Sequence, residues 1–420
     1  MERWEIAVVG AGASGLMAAH AAAKSMKDQG KPVSVVLLEG NPKPGKKLLA
    51  TGNGRCNLTN LDISAAHYHG DAALAAPVLE SCPPDRILEE FEKLGLLCRA
   101  DSEGRVYPRN FQAAAVLQAL RESCEAQGVT LRCDSGVTEI VPQEGGFRLE
   151  LKTGEPLWAS RCVVACGGKA SPKHSWEEGG FGMVTKLGHS LTELRPSLTY
   201  LKSSKKCLRS LKGVRVKALA ALWGQGEKLY EERGEVLFGD GSLSGICLFN
   251  LSARMPRELS QKVEVSLDLL EEMDYRQVLS YLERQVKAHP GYPAWELFAG
   301  VLNLRAGEEL MKELSVPREA LFCDLTRQQL RKAAGLAKAW RFPVAGTGDW
   351  ESAQVTRGGV PLREVDLTTM ESKKRRGLYL AGELLNLDGD CGGYNLHWAW
   401  ATGLRAGQAA ARGRKGKGTC

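Results

Sequence analysis

The sequence predicts a protein of the α/β class in which a parallel-sheet domain is interrupted by an inserted, β-rich domain. The apolar run 6–9 precedes a glycine-rich turn and an alanine-rich helix, which is typical of a buried parallel strand and the helix that follows it. From residue 196 the pattern changes to consecutive strand-like runs and then to helices. A strand, a glycine turn and a helix return at 377–407. The two ends of the chain are therefore predicted to build one domain around an insertion.

Three glycines follow the first strand at G-x-G-x-x-G spacing. In such a turn Gly10 permits the tight change of direction, Gly12 leaves room for a pyrophosphate, and Gly15 lets the helix approach the strand. The pyrophosphate is expected at the helix N-terminus, beside Ala13 and Ser14, because the free N–H groups and the helix dipole favour negative charge there. The spacing therefore predicts a dinucleotide site.

An acidic residue and a basic, glycine-rich loop follow the second predicted strand, 33–38. Glu39 lies 24 residues after Gly15, where an acid binds a ribose hydroxyl in dinucleotide folds. Glycines and amides alternate along 40–60, as they do in a loop that approaches a ligand closely. A solvated basic loop is the alternative. The cofactor contacts predicted in this loop are Lys47, Asn53, Arg55, Cys56 and Asn57.

Strand ends farther along the chain supply the remaining predicted cofactor contacts. The strand 160–166 ends in a glycine pair, and 378–381 ends in a glycine and an acid that is expected to hold ribityl hydroxyls. A second glycine pair opens the last helix, whose N-terminus favours a ligand edge that gains negative charge. A helix that merely packs on the sheet is the alternative. These contacts are Val137, Gly167, Gly168, Gly382, Glu383, Gly393, Tyr394 and Asn395.

The domain boundaries follow from these changes of pattern. The first part of the sheet domain is predicted at 1–195, the insertion at 196–345, the second part at 346–411 and a basic tail at 412–420. Inside the insertion, β-like runs precede a small helical subdomain at about 270–340. The β-like runs are 198–203, 213–223, 227–239, 243–251 and 262–268.

Length and composition limit the class of protein. At 420 residues and 43% apolar content, the chain is long enough for two or three domains with substantial cores. No run approaches the roughly 18 apolar residues of a membrane span. The first strand starts too early for a signal peptide, so a cytoplasmic location is predicted. The twelve cysteines are scattered without a C-x-x-C, which argues against a disulfide framework and against a metal site.

The net charge of +7 raises the question of a nucleic-acid partner. The tail carries four cations and no acid, and 373–376 reads KKRR. We interpret the tail as a disordered end and KKRR as a solvated turn. Because the chain has no C-x-x-C, aromatic-rich basic sheet or extended basic arm, we expect a small-molecule substrate and no nucleic-acid partner. Composition does not fix the oligomeric state. The tail cations are Arg412, Arg414, Lys415 and Lys417.

Four segments together resemble the BaiN/YhiN-like family of bacterial flavoproteins. They read VVGAGASGLMAA, GKKLLATGNGRCNLTN, VVACGGKASPK and QVTRGGV…GLYLAGELLNLDGDCGGYNLHWAWATG, and the resemblance runs from about residue 5 to residue 411. It implies a Rossmann-like FAD-binding domain with an inserted β-barrel-like domain, and a non-covalently bound FAD. Members are NAD(P)/FAD-dependent oxidoreductases, so NADH or NADPH is implied as a transient reductant.

The resemblance leaves the reaction open between two classes. One branch of the family is linked to reduction of ring double bonds in 3-oxo bile acids, which makes a reductase of an activated C=C bond the leading hypothesis. Another family label, aminoacetone oxidase, makes an FAD-dependent amine oxidase the alternative. A flavin-containing nucleic-acid-modifying protein is the third hypothesis, and the motifs disfavour it.

Three residues are candidates for catalysis because they lie beside the segments expected to face the flavin. Tyr394 and Arg357 are expected to donate hydrogen bonds to a developing enolate. His397 departs from the family, which more often has Gln there. It is either a titratable group near the flavin or a polar substitute that packs in the core.

Overall fold

The chain is divided into two structural units. The computed structural model describes residues 1–174, 179–256 and 262–413. The first unit consists of Met1–Ser197 and the segment from Ala353 onward, and the second unit is Leu198–Ser352. Residues of each unit contact mainly other residues of the same unit. Each unit has its own hydrophobic core. The predicted basic tail lies, from residue 414 onward, outside the described residues.

The first segment of the first unit alternates strands and helices. Its elements are β1 (Glu2–Val9), α1 (Ala13–Asp28), β2 (Val35–Leu38), α2 (Lys46–Ala50), β3 (Thr59–Asn60), β4 (Tyr68–Gly70), α3 (Ala72–Glu80), α4 (Pro84–Lys93), β5 (Cys98–Ala100), β6 (Arg105–Pro108), α5 (Ala113–Ala126), β7 (Thr130–Arg132), β8 (Val137–Gln143), β9 (Gly146–Leu151), β10 (Leu157–Val164), α6 (Gly179–Lys186) and β11 (Arg195–Ser197). The loop predicted at 40–60 contains the short helix α2, which a 3-10 turn, Thr51–Gly54, extends.

The second unit begins with strands, continues with helices and ends with a strand. Its elements are β12 (Leu201–Ser203), α7 (Leu208–Leu211), β13 (Arg215–Gly224), β14 (Glu227–Gly239), β15 (Ser242–Ser244), α8 (Ile246–Ala253), β16 (Val263–Asp268), α9 (Tyr275–Ala288), α10 (Leu304–Glu313), α11 (Arg327–Lys338) and β17 (Trp340–Thr347). Six of the strands close into a barrel in the order β12-β15-β14-β13-β16-β17.

The strand predicted at 243–251 is wrong for most of its length. Only β15 is a strand there, and residues Ile246–Ala253 form the helix α8. Gly245 separates the two elements at φ +126, and a Cβ on it would lie 2.1 Å from the Glu235 carbonyl oxygen. Because α8 is apolar around most of its circumference, its sequence has no 3.6-residue period that distinguishes it from a buried strand.

The last segment returns to the first unit. Its elements are β18 (Val355–Arg357), β19 (Val365–Asp366), β20 (Glu371–Ser372), β21 (Leu378–Leu380), β22 (Leu387–Gly389) and α12 (Tyr394–Arg412). The central sheet has the order β19-β20-β21-β10-β1-β2-β7, and β9 and β8 continue from β10. The pairs β21-β10, β10-β1, β1-β2 and β2-β7 are parallel. Their carboxyl ends therefore meet at one edge, where open α/β sheets bind ligands.

Candidate active site

The glycine turn after β1 is shaped by two close backbone contacts. Gly10 has φ +99, and a Cβ on it would lie 2.6 Å from the Ala165 carbonyl oxygen. A Cβ on Gly15 would lie 1.7 Å from the Gly10 carbonyl oxygen, because α1 packs against the turn there. Gly12 differs, since its φ of −85 suits any residue and its Cβ position has no atom within 4 Å. The open space beside Gly12 is where a pyrophosphate is expected.

The N-terminus of α1 faces this open space. Gly12 is the N-cap and provides no side-chain cap. Within the described ranges, the amides of Ala13 and Ser14 have no hydrogen-bond acceptor, whereas the Leu16 amide donates to the Gly12 carbonyl at 3.0 Å. The orphaned donors and the helix dipole favour an anion at this position. The turn therefore has the room and the donors that a dinucleotide phosphate requires.

Glu39 is fixed at the end of β2 by backbone donors. The Ala11 amide donates to Oε2 at 3.0 Å, and the Asn41 amide donates to Oε1 at 2.8 Å. The carboxylate is nearly buried beside the glycine turn, and Oε2 keeps a second lone pair for a ribose hydroxyl. The backbone amide of Ser135 donates to the Glu39 carbonyl at 2.8 Å, which places the start of β8, including the predicted contact Val137, near this corner.

Two of the three predicted glycines after β10 and β21 pack tightly at the same edge. Gly167 has φ +75 after β10, and a Cβ on Gly168 would lie 2.5 Å from Glu383 Oε1. A Cβ on Gly382 would lie 2.6 Å from Ser14 Oγ, in the first turn of α1. Gly168 and Gly382 therefore leave no room for side chains where the ends of β10 and β21 approach their neighbours, whereas Gly167 has no atom within 4 Å of its Cβ position and is set apart by its positive φ.

Two predicted cofactor residues, far apart in sequence, form an ion pair. Lys47 Nζ lies 2.7 Å from Glu383 Oε2, and both side chains are partly exposed. The Thr356 amide donates to Glu383 Oε1 at 2.7 Å. The carboxylate is therefore held by a lysine of α2 and by the backbone of β18, and both of its oxygens have partners.

The turn from Gly52 to Asn57 carries the remaining predicted loop residues. Asn53 and Cys56 have left-handed backbones, with φ of 60 and 56. Arg55 is exposed, whereas Cys56 is fully buried, and burial raises the pKa of its thiol to about 12. The Asn57 Oδ1 atom is buried without a hydrogen-bond donor in the described part of the chain. This orphaned acceptor is a second feature that fits a bound cofactor, while Cys56 is placed in the core.

The N-terminus of α12 lies beside Asn57. Gly393 has φ +102, and a Cβ on it would lie 2.9 Å from Asn57 Oδ1. Asn395 accepts a hydrogen bond from the Gly389 amide at 2.8 Å and donates to the Gly389 carbonyl at 2.7 Å. The Asn395 side chain is therefore used to hold the preceding loop against the helix.

A cluster of titratable residues, which the sequence analysis missed, surrounds Tyr394. The Tyr394 ring stacks on His67 with centroids 4.5 Å apart. His67 Nδ1 lies 3.4 Å from Asp390 Oδ2, and His69 Nε2 lies 2.9 Å from Asp390 Oδ1. The hydrogen bond that the His67 ring donates to the Asp390 carboxylate is the largest cause that raises the pKa of His67. We call Tyr394, His67, His69 and Asp390 the histidine cluster.

The histidine cluster adjoins a buried carboxyl group on the same strand pair, β4 and β22. Asp388 is 1% exposed, and its Oδ2 accepts a hydrogen bond from Ser197 Oγ at 2.9 Å. Burial raises the pKa of Asp388, and the positive charge of Arg357 opposes that rise. Arg357 ends β18, which pairs with β11. The structure thus brings Arg357 and Tyr394, two of the three predicted catalytic residues, to the surroundings of β22.

His397, the third predicted catalytic residue, lies in the core. Its Nε2 donates to the Cys82 carbonyl at 2.9 Å, so its Nδ1 accepts from Thr59 Oγ1 at 2.8 Å. Its side chain is fully buried, and burial lowers its pKa to about 4. Both ring nitrogens are used within the protein, which is the arrangement of a packed polar substitute.

Within 1–174, 179–256 and 262–413, no helix has the length and apolarity needed to cross a bilayer. The same residues contain no group of three or more metal-ligating side chains.

Comparison with known proteins agrees with this geometry. The family described as HI0933-like protein Rossmann domain matches residues 4–409. A 3-dehydro-bile acid delta(4,6)-reductase of Clostridium scindens is 36% identical over 97% of this chain and 98% of its own. A ribosomal RNA dihydrouridine synthase of Escherichia coli is 28% identical over 97% of this chain and 98% of its own. The protein of the same name from Haemophilus influenzae is 26% identical over 94% and 95%.

Solved structures share the fold. A 3-ketosteroid-delta4-(5alpha)-dehydrogenase from Rhodococcus jostii RHA1 matches with a TM-score of 0.51 at 16% identity, covering 98% of this chain and 97% of its own. The resemblance predicted from the sequence is confirmed, as is the fold class. The chain belongs to the HI0933-like family, is built on a Rossmann-like FAD-binding domain with an inserted β-barrel, and is an FAD-dependent oxidoreductase.

Proposed function

We propose that this protein reduces a C=C bond conjugated with a carbonyl group, with electrons from NADH or NADPH and a 3-oxo steroid or bile-acid-like enone as acceptor. The observation that carries the proposal is the 36% identity, over nearly the whole chain, to a 3-dehydro-bile acid delta(4,6)-reductase. It favours the reductase over the amine oxidase, since a 3-dehydro acid with a delta(4) bond is an enone. The reaction balances as enone, NAD(P)H and one proton giving the saturated ketone and NAD(P)⁺.

FAD, held by the turn at Gly12, the carboxylate of Glu39 and the pair Lys47–Glu383, supplies the hydride chemistry when bound. Two tasks then remain for the protein's own residues. One is to stabilise the negative charge that develops on the carbonyl oxygen, for which we propose Tyr394 and Arg357. The other is to provide a proton, for which the histidine cluster is suited because Asp390 favours the charged form of His67.

A second acceptor has independent support. Two relatives that span nearly the whole chain are named ribosomal RNA dihydrouridine synthase. The C5=C6 bond of uracil is also conjugated with a carbonyl, so the same hydride and proton transfers would reduce it. The second candidate function is therefore reduction of a uridine in RNA, with the same residues in the same roles.

The test separates the half-reactions. The purified holoprotein is reduced anaerobically with NADH or NADPH and is then mixed with a 3-oxo-4-ene steroid, a uridine-containing ribosomal RNA fragment, or oxygen with a primary amine. We expect the flavin absorbance to recover fastest with the enone. Fastest recovery with the RNA supports the second candidate. Fast reaction with oxygen and amine, without turnover of either C=C acceptor, overturns the proposal in favour of the oxidase.

A variant tests the residue roles. Tyr394→Phe should slow re-oxidation by the acceptor about 100-fold, the usual scale for one lost oxyanion donor, and should change reduction by NAD(P)H far less. Tyr292→Phe, an exposed tyrosine of the second unit, is the matched control and should leave both half-reactions unchanged. Equal loss in both half-reactions, or loss of flavin, would instead indicate damage to the cofactor site.

A further inference from the structure

We infer that an exposed basic surface on the second unit binds the phosphate backbone of RNA. The surface consists of Lys206, Arg209, Lys212 and Arg305, on and beside the short helix α7, and we call it the α7 basic surface. The inference concerns binding alone, so RNA binding at this surface would not by itself show which acceptor the protein reduces. It opposes the expectation from the sequence that no nucleic acid is a partner.

The segment around α7 is strongly basic. Residues 202–217 contain seven lysines and arginines and no acidic residue, which equals the net charge of +7 for the whole protein. The remainder of the chain is therefore balanced. The sequence predicts strands at 198–203 and 213–223 and leaves 204–212 as the connection between them, so the cations of this connection were not recognised as a surface.

The local backbone places three of these cations on one face. Lys206, Arg209 and Lys212 recur every third residue, and the amides of Arg209 and Lys212 donate to the carbonyls of Lys206 and Arg209. All three side chains are exposed, whereas Leu208 and Leu211 are buried in the core of the unit. Side chains three apart on a helical turn lie about 5–6 Å from each other. The three cations therefore form a close row of positive charges, and the buried Leu208 and Leu211 pack the segment against the core of the unit.

Arg305 adds a fourth charge to the row. It is exposed at the start of α10, and its guanidinium donates to the carbonyls of Ser210 and Lys212. These bonds fix Arg305 against the end of α7, so its charge belongs to the same surface. Carbonyl partners leave the positive charge of the guanidinium uncompensated.

The nearby acids are already paired with other cations. Glu313 pairs with Lys205 at 2.7 Å, Glu309 pairs with Lys312 at 2.5 Å, and Glu235 pairs with Arg215. Glu309 is also nearly buried, where it accepts a hydrogen bond from Ser210. Among the residues the structure describes, none of the four cations of the α7 basic surface has a carboxylate within 4.0 Å. Their charge is therefore available to an external anion.

RNA fits this surface better than a membrane does. No large apolar side chain is exposed in 202–217, so the surface has no residue to insert into a lipid bilayer. A row of unpaired Lys and Arg side chains suits phosphates, which provide most of the affinity in nucleic-acid binding. The second candidate function, reduction of a uridine in RNA, would require such a contact.

The experiment measures RNA binding by the holoprotein. A fluorescein-labelled, structured ribosomal RNA fragment is titrated at 50 to 200 mM salt, and affinity is read from anisotropy. The test variant Lys206→Gln/Arg209→Gln/Lys212→Gln is compared with Lys373→Gln/Lys374→Gln/Arg376→Gln, which removes three exposed positive charges from the first unit. A charge-preserving variant, Lys206→Arg/Arg209→Lys/Lys212→Arg, controls for disruption of α7. Flavin content and thermal unfolding are measured for all three variants.

We expect the test variant to bind RNA at least about tenfold more weakly than the wild type. The slope of log affinity against log salt concentration should become less negative by about 2 to 3, because three cations are removed. The KKRR variant and the charge-preserving variant should bind as the wild type does. The inference is overturned if the wild type does not bind RNA at 50 mM salt. It is also overturned if both neutralised variants lose affinity equally, or if vesicles containing phosphatidylserine bind the protein and RNA does not.

Discussion

Lys47 Nζ lies 2.7 Å from Glu383 Oε2 and thereby joins α2 to the end of β21 across 336 residues of sequence. Both residues were predicted to contact the cofactor, and the structure shows that they also contact each other. Glu383 accepts the Thr356 amide as well, so its position depends on three segments of the first unit. The pair holds the glycine-rich loop after β2 next to the last parallel strand of the site.

The first prediction concerns the strength of this pair. A double-mutant cycle with Lys47→Met and Glu383→Gln should give a coupling free energy on the order of 1 kcal/mol, because the side chains are only 26% and 18% exposed. The matched cycle uses Lys228 and Glu231, whose atoms are also 2.7 Å apart but whose side chains are 48% and 45% exposed. Urea unfolding measures both. A coupling at Lys47–Glu383 no larger than that of the exposed pair would contradict the prediction.

The second prediction separates the two roles of the glycines. Gly12→Val should abolish FAD retention, because its side chain would enter the open space beside the N-terminus of α1. The free energy of unfolding of the apoprotein should change little, because φ at Gly12 is −85 and no atom lies within 4 Å of its Cβ position. Released flavin and urea unfolding are measured.

Gly15→Ala is the contrasting variant. Its Cβ would overlap the Gly10 carbonyl oxygen, so the fold itself should be destabilised. Gly182→Ala in α6, where a Cβ meets nothing within 4 Å, should retain both flavin and stability. Normal flavin content in Gly12→Val would show that the phosphate does not bind at this turn.

The third prediction concerns stability at low pH. The folded-state pKa of His397, about 4, is below its ordinary value of 6.5, so the unfolded chain takes up the proton more readily. The stabilisation is complete above pH 6.5 and is lost as the pH falls toward 4, by up to about 1.4 kcal/mol per pH unit. His397→Gln, which keeps a donor for the Cys82 carbonyl and an acceptor for Thr59, should flatten this part of the curve. Urea unfolding at pH 7.5, 6 and 5 measures it, and equal slopes for both proteins would refute it.

Local features of the site were predictable from the sequence, because they depend on neighbouring residues. The roles of Gly10 and Gly15 follow from backbone contacts within one strand-turn-helix unit, and Glu39 follows from its spacing. The helix α8 was not predictable from its pattern, since an apolar run without period suits a buried strand as well. The change from strand to helix falls at Gly245, between β15 and α8, where a Cβ would overlap the Glu235 carbonyl oxygen.

Pairings between distant segments could not be predicted. Asp390 is 323 residues from His67, and no sequence spacing indicates that they meet. The neutralisation of Glu309 and Glu313, which leaves the α7 basic surface positive, also depends on which side chains meet in three dimensions. The burial of Cys56 and His397 depends on packing from several elements. The sequence around each residue does not reveal this burial, so it gave no reason to exclude Cys56 as a cofactor contact or His397 as a catalytic residue.

The last prediction concerns the histidine cluster. Because hydrogen bonding to Asp390 raises the pKa of His67, its proton is retained to higher pH than in the unfolded chain. The contribution of the charged histidine to stability should therefore be complete below pH 6.5 and should be lost as the pH rises through the folded-state pKa. If the cluster provides the proton, re-oxidation by the acceptor should slow over the same range.

Asp390→Asn should move the ¹³C NMR titration of His67 and the kinetic profile to lower pH together. Asp62→Asn, which removes a carboxylate that is 76% exposed, should move both much less. A shift of the NMR titration without a shift of the rate would show that His67 is not the proton source, and an unchanged titration would show that Asp390 does not control its charge.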